Sequence, residues 1–411
     1  MIELIIFSLL GILLGIVLGL IPGMHINNIL PMILAFPFIT DPLTLSVFII
    51  SIAVAQQFVG YIPSIFLGAP EEETALSVLP GHKMLLEGKG FDAIKLTLLG
   101  GLFSLFVSLG FILLLSTFFP TLYNLSRPYI HYVLIFVIFG MIISERNLKA
   151  VIFSFVIVCI SGLFGTIVLN STIISSKIVL FPMLAGLFGL SNLVVSISQK
   201  SKIPKQDESS EFKVPFKTVL KSVLLGSLAG ITVGFLPAVG VSQAATIMQY
   251  VGNMKEASSF LMTISSINIS NEIFSLISLY LVGNPRSGAS VAIERVMESI
   301  TLSEVLIFIG SICFAAAISA IFTMYLGKII PRFLARLNYK ILSCSVIIFM
   351  LTMIFLLAGL NGILVGLTAT AIGVFCNNLG IRRSHLMGCL LIPSVIFFAG
   401  LNPQIISILN I

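Results

Sequence analysis

The sequence predicts an all-α polytopic membrane protein built from two inverted-topology repeats with broken or re-entrant helices. Three observations carry that prediction: scarcity of charge, apolar runs longer than a bilayer crossing, and a duplication of Gly and Pro positions about the midpoint. Of 411 residues, 22 are Lys or Arg and 16 are Asp or Glu, 9% of the chain, against about 25% in a typical soluble domain. Hydrophobic residues make up 58% and the mean hydropathy is +1.15. Residues 4–40, 96–126, 222–254 and 341–381 contain no Asp, Glu, Lys or Arg. Each run exceeds the roughly 20 apolar residues that cross a bilayer once. The chain therefore belongs in the cytoplasmic (plasma) membrane, crossing it many times.

The same composition excludes other classes. A transmembrane β-barrel shows short alternating segments, whereas these runs are continuous. The +6 net charge lies in short loops rather than on one face, which argues against nucleic acid as a partner. Glu3 precedes the first apolar run, no basic n-region does, and the run outlasts a signal-peptide h-region. The five cysteines are scattered through apolar stretches without a C-x-x-C pair, so they read as small hydrophobes, with no metal site or cofactor expected. No Walker A, H-E-x-x-H or G-x-S-x-G motif is present, and the protein is not expected to be an enzyme.

Taken in order, the apolar segments of the first half are 4–20, 23–39, 43–67, 96–118, 129–143, 150–168 and 178–198. Those of the second half are 219–236, 238–253, 257–282, 304–327, 341–357, 361–380 and 384–409. Between them, Lys200–Lys221 is the one sizeable polar stretch, with six Lys against Asp207, Glu208 and Glu211. It reads as a cytoplasmic linker, dividing the chain into a first transmembrane repeat (1–199), the linker (200–221) and a second repeat (222–411).

The duplication is visible at an offset of 215 residues. Gly11, Gly15, Gly19 and Pro22 align with Gly226, Gly230, Gly234 and Pro237, and without a gap Gly68 and Pro70 align with Gly283 and Pro285. Charge decides the relative orientation of the halves, because basic loops stay cytoplasmic. The first half is basic at Lys83, Lys89, Lys95, Arg146 and Lys149, and the positions 215 residues later carry no base. The second half is basic at Lys328, Arg332, Arg336, Lys340, Arg382 and Arg383, and their first-half equivalents are uncharged. An inverted repeat predicts this complementarity, together with an odd number of crossings per half.

The candidate site lies at the breaks. Segments 23–39 and 238–253 are too short to span alone, and each follows a Pro, which removes a helical donor and clashes with the preceding turn. In lipid such backbone survives only against protein or a watery cavity, and paired breaks point to a binding site. After Pro22-Gly23 a helix would start near His25, its orphan amides and dipole favouring an anion, with Asn27 and Asn28 adding neutral donors and acceptors. The counterpart is Pro237, Gly240, Ser242 and Gln243. The bland reading is a kink capped by its own side chains.

The second pair of breaks is charged. Pro70-Glu71-Glu72-Glu73 aligns with Pro285-Arg286-Ser287-Gly288, preceded in the second half by Gly283 and Asn284, and upstream Gln56 and Gln57 align with Asn271 and Glu272. An ionisable group within a span costs about 2.5–3.5 kcal/mol on insertion scales and so marks a pathway. Arg286 is a candidate for gripping an anion bidentately; the alternative is an ion pair with one of Glu71–Glu73. Gln57, Asn271, Glu272 and the three Glu are candidates for coupling or gating, with Na⁺ or H⁺ as the coupling ion. Glu71–Glu73 read equally as a solvated helix start. Arg382, Arg383 and His385 read as a positive-inside anchor.

These residues carry a resemblance. The G-x-x-x-G-x-x-P-G run followed by polar residues, the G-x-P turn with T-A-L after it, the P-G-H-K-x-x-x-x-G-K-G segment and the second-half G-N-P-R-S-G-A are similar to the large membrane subunit of the tripartite tricarboxylate transporters. The similarity is plain over residues 10–100 and 225–295. Glu71–Glu73 and Ala238 depart from the family pattern, and the chain is shorter than expected of the family. The resemblance implies an ion-coupled uptake permease for small carboxylates. It also implies a small membrane subunit and an extracytoplasmic binding protein as partners, with substrate contacts on Pro22–Asn28, Pro237–Gln243, Gly68–Thr74 and Gly283–Ala289. The function expected is a secondary transporter moving a small organic anion by alternating access. The alternatives are a translocase of an anionic lipid headgroup such as polyprenyl phosphate, and an intramembrane lipid-modifying enzyme. The partners expected are the substrate anion and the bilayer, and oligomerisation is compatible with the sequence.

Overall fold

The computed structural model describes residues 2–21, 26, 33, 41–69, 74–115, 121, 125, 127–143, 145, 147–171, 174, 178–198, 204, 206, 214–235, 240–254, 256–283, 285–297, 299–334 and 339–404. In the first half these residues form α1 (Ile2–Leu20), α2 (Pro42–Val59), α3 (Tyr61–Phe66), α4 (Val78–Leu86), α5 (Gly90–Leu115), α6 (Ile130–Ile143) and α7 (Leu148–Asn170). A further segment joins α8 (Leu180–Leu184) through a π turn (Ala185–Leu190) to α9 (Ser191–Ser198). The second half comprises α10 (Phe216–Phe235), α11 (Val241–Val251), α12 (Ala257–Val282), α13 (Gly288–Val296), α14 (Leu302–Leu334) and α15 (Tyr339–Asn378). A 3-10 turn (Arg383–Met387) and α16 (Gly388–Phe398) follow. All described regular structure is helical, as the charge-poor apolar runs require.

Local chemistry sets the boundaries. Asp41 caps α2 by accepting from the Thr44 amide, and Pro42 fills the first helical position, where no donor is needed. Gly283, at φ 63°, ends α12 in the left-handed conformation that a side chain disfavours. Gly359 (φ 64°, ψ −160°) breaks α15 into the two segments expected from sequence. α10 begins at Phe216, inside the stretch read as linker, so the last residues of that stretch are helical. Gln206 of the linker is buried, accepting from the Gly90 amide at 2.8 Å and donating to the Leu85 carbonyl at 3.0 Å.

Eight described helical segments are long and apolar enough to cross a membrane. Two are central: the most apolar 18-residue stretch is 94% buried in Pro42–Phe66 and 100% buried in Ala257–Val282, while in the other six it ranges from 28% to 56%. Those six present Leu, Ile and Phe outward, as lipid demands. α12 carries Ser, Thr, Asn and Glu at many buried positions, and their hydroxyls bond neighbouring backbones. Ser265 and Ser266 donate to the Thr97 and Gly100 carbonyls of α5 at 2.6 and 2.9 Å, and Ser270 meets Ser108 at 2.7 Å.

Small residues let the helices approach. A Cβ at Gly11, Gly15 or Gly19 of α1 would meet Ser51, Ala55 or Val59 of α2 at 2.9, 2.8 and 3.0 Å. A Cβ at Gly226, Gly230 or Gly234 of α10 would meet Ser266, Ser270 or Phe274 of α12 at 2.5, 2.5 and 2.7 Å. Every residue in the second set stands 215 positions after its counterpart in the first. Both sets place the paired helices parallel, in the close small-residue packing usual in lipid.

The peripheral helices pack reciprocally as well. Gly186 in the π turn lies against Gly366 and Ala369 of α15, and Gly388 of α16 lies against Val158 and Ser161 of α7. One end of the bundle is basic. Gly327 beside Lys328 packs on Ile94 beside Lys95, and Gln206 ties the linker to the turn that carries Glu87 and Lys89. Glu3, Asp41 and Glu304 head α1, α2 and α14, which begin at the opposite end.

Candidate functional site

The two central helices cross where their polar residues meet. Gln57 of α2 donates through Nε2 to Glu272 Oε2 of α12 at 3.0 Å. One turn away in opposite senses, Asn268 Nδ2 donates to the Tyr61 hydroxyl at 2.7 Å. Position 57 rises to 61 as 272 falls to 268, so the helices run antiparallel. The residues touching at the crossing are 215 apart, the offset of the glycine register.

Glu272 is 2% exposed. Its other oxygen, Oε1, accepts from the Ser287 hydroxyl at 3.0 Å, which places the carboxylate at the start of α13. Gly283 makes this possible: its positive φ turns the chain back, and the Arg286 amide then donates to Ser275 Oγ at 2.8 Å. The Ser287 amide donates to the same hydroxyl, and Ser287 caps α13 by accepting from the Ser290 amide at 3.2 Å. The N-terminal dipole of α13 and the Ser287 donor both favour a negative charge here. An ionised carboxylate can only accept, so Gln57 must turn its amide nitrogen toward it. That leaves Gln57 Oε1 buried without a hydrogen-bond partner among the described residues, as is Asn271 Oδ1 in the next position of α12. Both side chains are 7% exposed.

The structure thus gathers Gln57 and Ser287 around the Glu272 carboxylate, with Gly283 as the turn, Arg286 held nearby through its backbone amide and Asn271 adjacent in sequence. Gln56 does a different job: its Oε1 accepts from the Ile26 amide at 2.8 Å. Ile26 then packs with Ile49 and Ala53 of α2 and with Ala289 of α13. The first break of one half and the second break of the other therefore converge on α2. Pro22, Gly23, His25, Asn27, Asn28, Glu71, Glu72, Glu73, Pro237 and Asn284 lie outside the described residues.

Ser242 and Gln243 do not join the carboxylate cluster through any described bond. Gln243 Oε1 accepts from the Gly240 amide, capping α11, and its Nε2 donates to Ser394 Oγ at 2.9 Å and the Leu390 carbonyl at 3.2 Å. That is the capping role set beside the functional one in the sequence, with α16 as the added partner. Sequence reasoning missed Tyr61, Asn268, Ser275 and Ser290. The available signal was the dense Ser/Asn content of 257–282 within an otherwise apolar chain. It also missed that Arg383 and His385 are buried: His385 Nε2 lies 2.8 Å from Glu145 Oε1, and Arg382 Nε lies 3.6 Å from it.

The described residues form an all-helical bundle with a buried, hydrogen-bonded carboxylate at its centre, the architecture of a multi-pass membrane protein. The chain belongs to the tripartite tricarboxylate transporter TctA family, whose description matches residues 5–388. It is also similar to an uncharacterized protein of Methanocaldococcus jannaschii, 30% identical over 404 residues that cover 96% of this chain and 98% of the relative. No solved structure matches. In tripartite systems the family works with a small membrane subunit and a periplasmic binding protein. The chain is a multi-pass protein of the plasma membrane.

Proposed function

We propose that this protein is the permease of an ion-coupled secondary transporter that moves a small organic anion, a carboxylate, across the plasma membrane by alternating access. The observation that carries the reading is Glu272, buried at the antiparallel crossing of α2 and α12 and held by Gln57 and Ser287. A buried carboxylate with an orphaned amide oxygen beside it is an oxygen-rich seat for a cation, either Na⁺ or a proton on Glu272 itself. The start of α13 and Arg286 supply the positive partner for the anion. Cation and anion would then bind within one polar centre, so that each favours the other.

The packing supports an inverted duplication of 1–199 and 222–411 around that centre. A two-fold axis perpendicular to the helices brings equivalent residues into contact once, at an antiparallel crossing, as Gln57 and Glu272 are. The recurring glycine contacts supply the second line of support. By the positive-inside tendency the basic end is cytoplasmic, and the first residues then lie outside. An extracytoplasmic binding protein would deliver the anion to that outer face, and a small membrane subunit would complete the assembly.

The test is uptake of a labelled carboxylate by proteoliposomes under an imposed Na⁺ or proton gradient, with and without an added binding protein. Accumulation that collapses with the gradient is expected. Transfer of a polyprenyl phosphate between leaflets with no competition by carboxylates would overturn the reading. So would turnover of a lipid in the absence of any gradient.

A further inference from the structure

The basic end contains a chamber that the central site does not use. A cavity of about 390 Å³ is lined there by Lys83 of α4, Gln249 of α11, Glu256 ahead of α12, and Arg382 and Arg383. Arg383 is 5% exposed. Among the described residues its guanidinium donates to the Phe188 carbonyl from Nη1 at 3.4 Å and to Asn377 Oδ1 from Nη2 at 3.3 Å, both neutral and both long.

Nearby acids face other bases. Glu145 lies 2.8 Å from His385 Nε2 and 3.6 Å from Arg382 Nε, and Glu87 lies 3.9 Å from Lys83 at the surface. Glu256 is the one carboxylate among the lining residues, against three bases. Holding a charged guanidinium in a buried position without a carboxylate carries a large desolvation cost, and an entering anion offsets it through the guanidinium fork. The remaining wall includes Leu76, Phe188 and Phe260, which suit a short carbon skeleton better than a bare inorganic ion.

We propose that Arg383, with Lys83 and Arg382 at the rim, binds a small organic carboxylate in this chamber, at the inner mouth of the transport path. The walls join the turn after the second first-half break (Leu76) to the half-helix after the first second-half break (Gln249), so the chamber borders break-associated segments of both halves. The inference rests on the transport reading for the identity of the anion alone. Binding itself needs neither gradient nor partner.

Equilibrium binding of labelled succinate and of inorganic phosphate to the purified full chain in detergent tests it. Saturable succinate binding, tighter than phosphate, is expected. Arg383→Gln should weaken it at least about tenfold, the worth of one charged hydrogen-bonding group, and Arg383→Lys by less. Lys83 is exposed, so Lys83→Gln keeps the fold and should weaken binding by about two- to threefold. Unchanged affinity in a folded Arg383→Gln protein would overturn the proposal, as would the absence of saturable succinate binding. Should Arg383→Gln not fold, unchanged affinity in Lys83→Gln overturns it. Phosphate binding as tightly as succinate overturns the assignment to an organic anion. A protein that binds succinate in an Arg383-dependent way yet accumulates none in proteoliposomes refutes the transport reading and leaves this site standing.

Discussion

Gln57 and Glu272 stand 215 residues apart, on two central helices that pack alike against their glycine-striped neighbours, and they touch each other. One is a neutral amide and the other an acid. The glycine contacts recur at one offset while the charge does not, an asymmetry that suits the cation coupling proposed above. Two carboxylates facing each other across the axis would repel, and one would take up a proton. A single acid opposite an amide leaves one negative centre and one spare oxygen. The same contrast holds one position earlier: Gln56 reaches the Ile26 amide, whereas Asn271, one methylene shorter, has its Oδ1 buried and unpartnered among the described residues.

The strongest way to break this comparison is to erase the asymmetry. Glu272→Gln makes the crossing neutral and should reduce gradient-driven uptake at least about tenfold, since an interaction with a charged group is worth about 1.5–3 kcal/mol. Moving the charge across, with Gln57→Glu and Glu272→Gln together, keeps one acid and one amide at the crossing. It should recover part of the uptake, though not all, because Ser287 then faces an amide. No recovery would mean that the seat belongs to α12 and α13 alone.

The scaffold can be tested next. Gly15→Leu or Gly230→Leu drives a side chain into the facing helix, where even a Cβ would collide with the Ile52 carbonyl oxygen or sit 2.5 Å from Ser270 Cβ. Overpacking of this kind costs about 1–3 kcal/mol, and both substitutions should lower the melting temperature in detergent by several degrees. Gly110→Ala, with nothing within 4 Å of the new Cβ, should leave it unchanged. A smaller effect separates the neighbouring pair. Gln56→Leu strands the Ile26 amide, a loss of about 1–3 kcal/mol, whereas Asn271→Leu removes an unpartnered oxygen and should cost less stability while weakening the cation dependence of uptake.

The smallest effect is expected at the outer end. The Thr44 hydroxyl and then its amide hold the Asp41 carboxyl below its ordinary value of 3.8. A carboxyl depressed in the folded state stabilises it above the ordinary value, and that contribution fades as pH falls through the lowered one. Melting temperatures of Asp41→Ala and the wild type should therefore differ slightly at neutral pH and converge as the pH falls through the lowered value.

Most of the helix pattern was legible because lipid leaves few options: every long charge-free run had to be a helix. Residues 257–282 became α12 with both ends as expected, and the expected interruption of the last long apolar stretch falls at Gly359. The close helix contacts were legible in the Gly register, since a side chain at Gly15 or Gly230 would crowd the facing helix. The site was legible in part. Glu272 and Gln57 stood out as polar residues in apolar runs, but their mutual contact depends on a crossing that no local pattern encodes. Gln243 caps α11, one of the two roles the sequence offered, and its bonds to Leu390 and Ser394 were not legible because that helix lies almost 150 residues away. Arg383 was obscured by the positive-inside tendency, which explains a base near a helix end equally well whether it is solvated or buried. Its burial follows from the packing of α15 and the 3-10 turn against the π turn that carries Phe188.

The most direct measurement is the cation dependence of carboxylate accumulation in proteoliposomes carrying the wild type or Glu272→Gln, at matched protein content and with folding verified by melting. The account predicts uphill accumulation driven by a Na⁺ or proton gradient in the wild type and none in the variant. Equal gradient-driven accumulation by both proteins would contradict it.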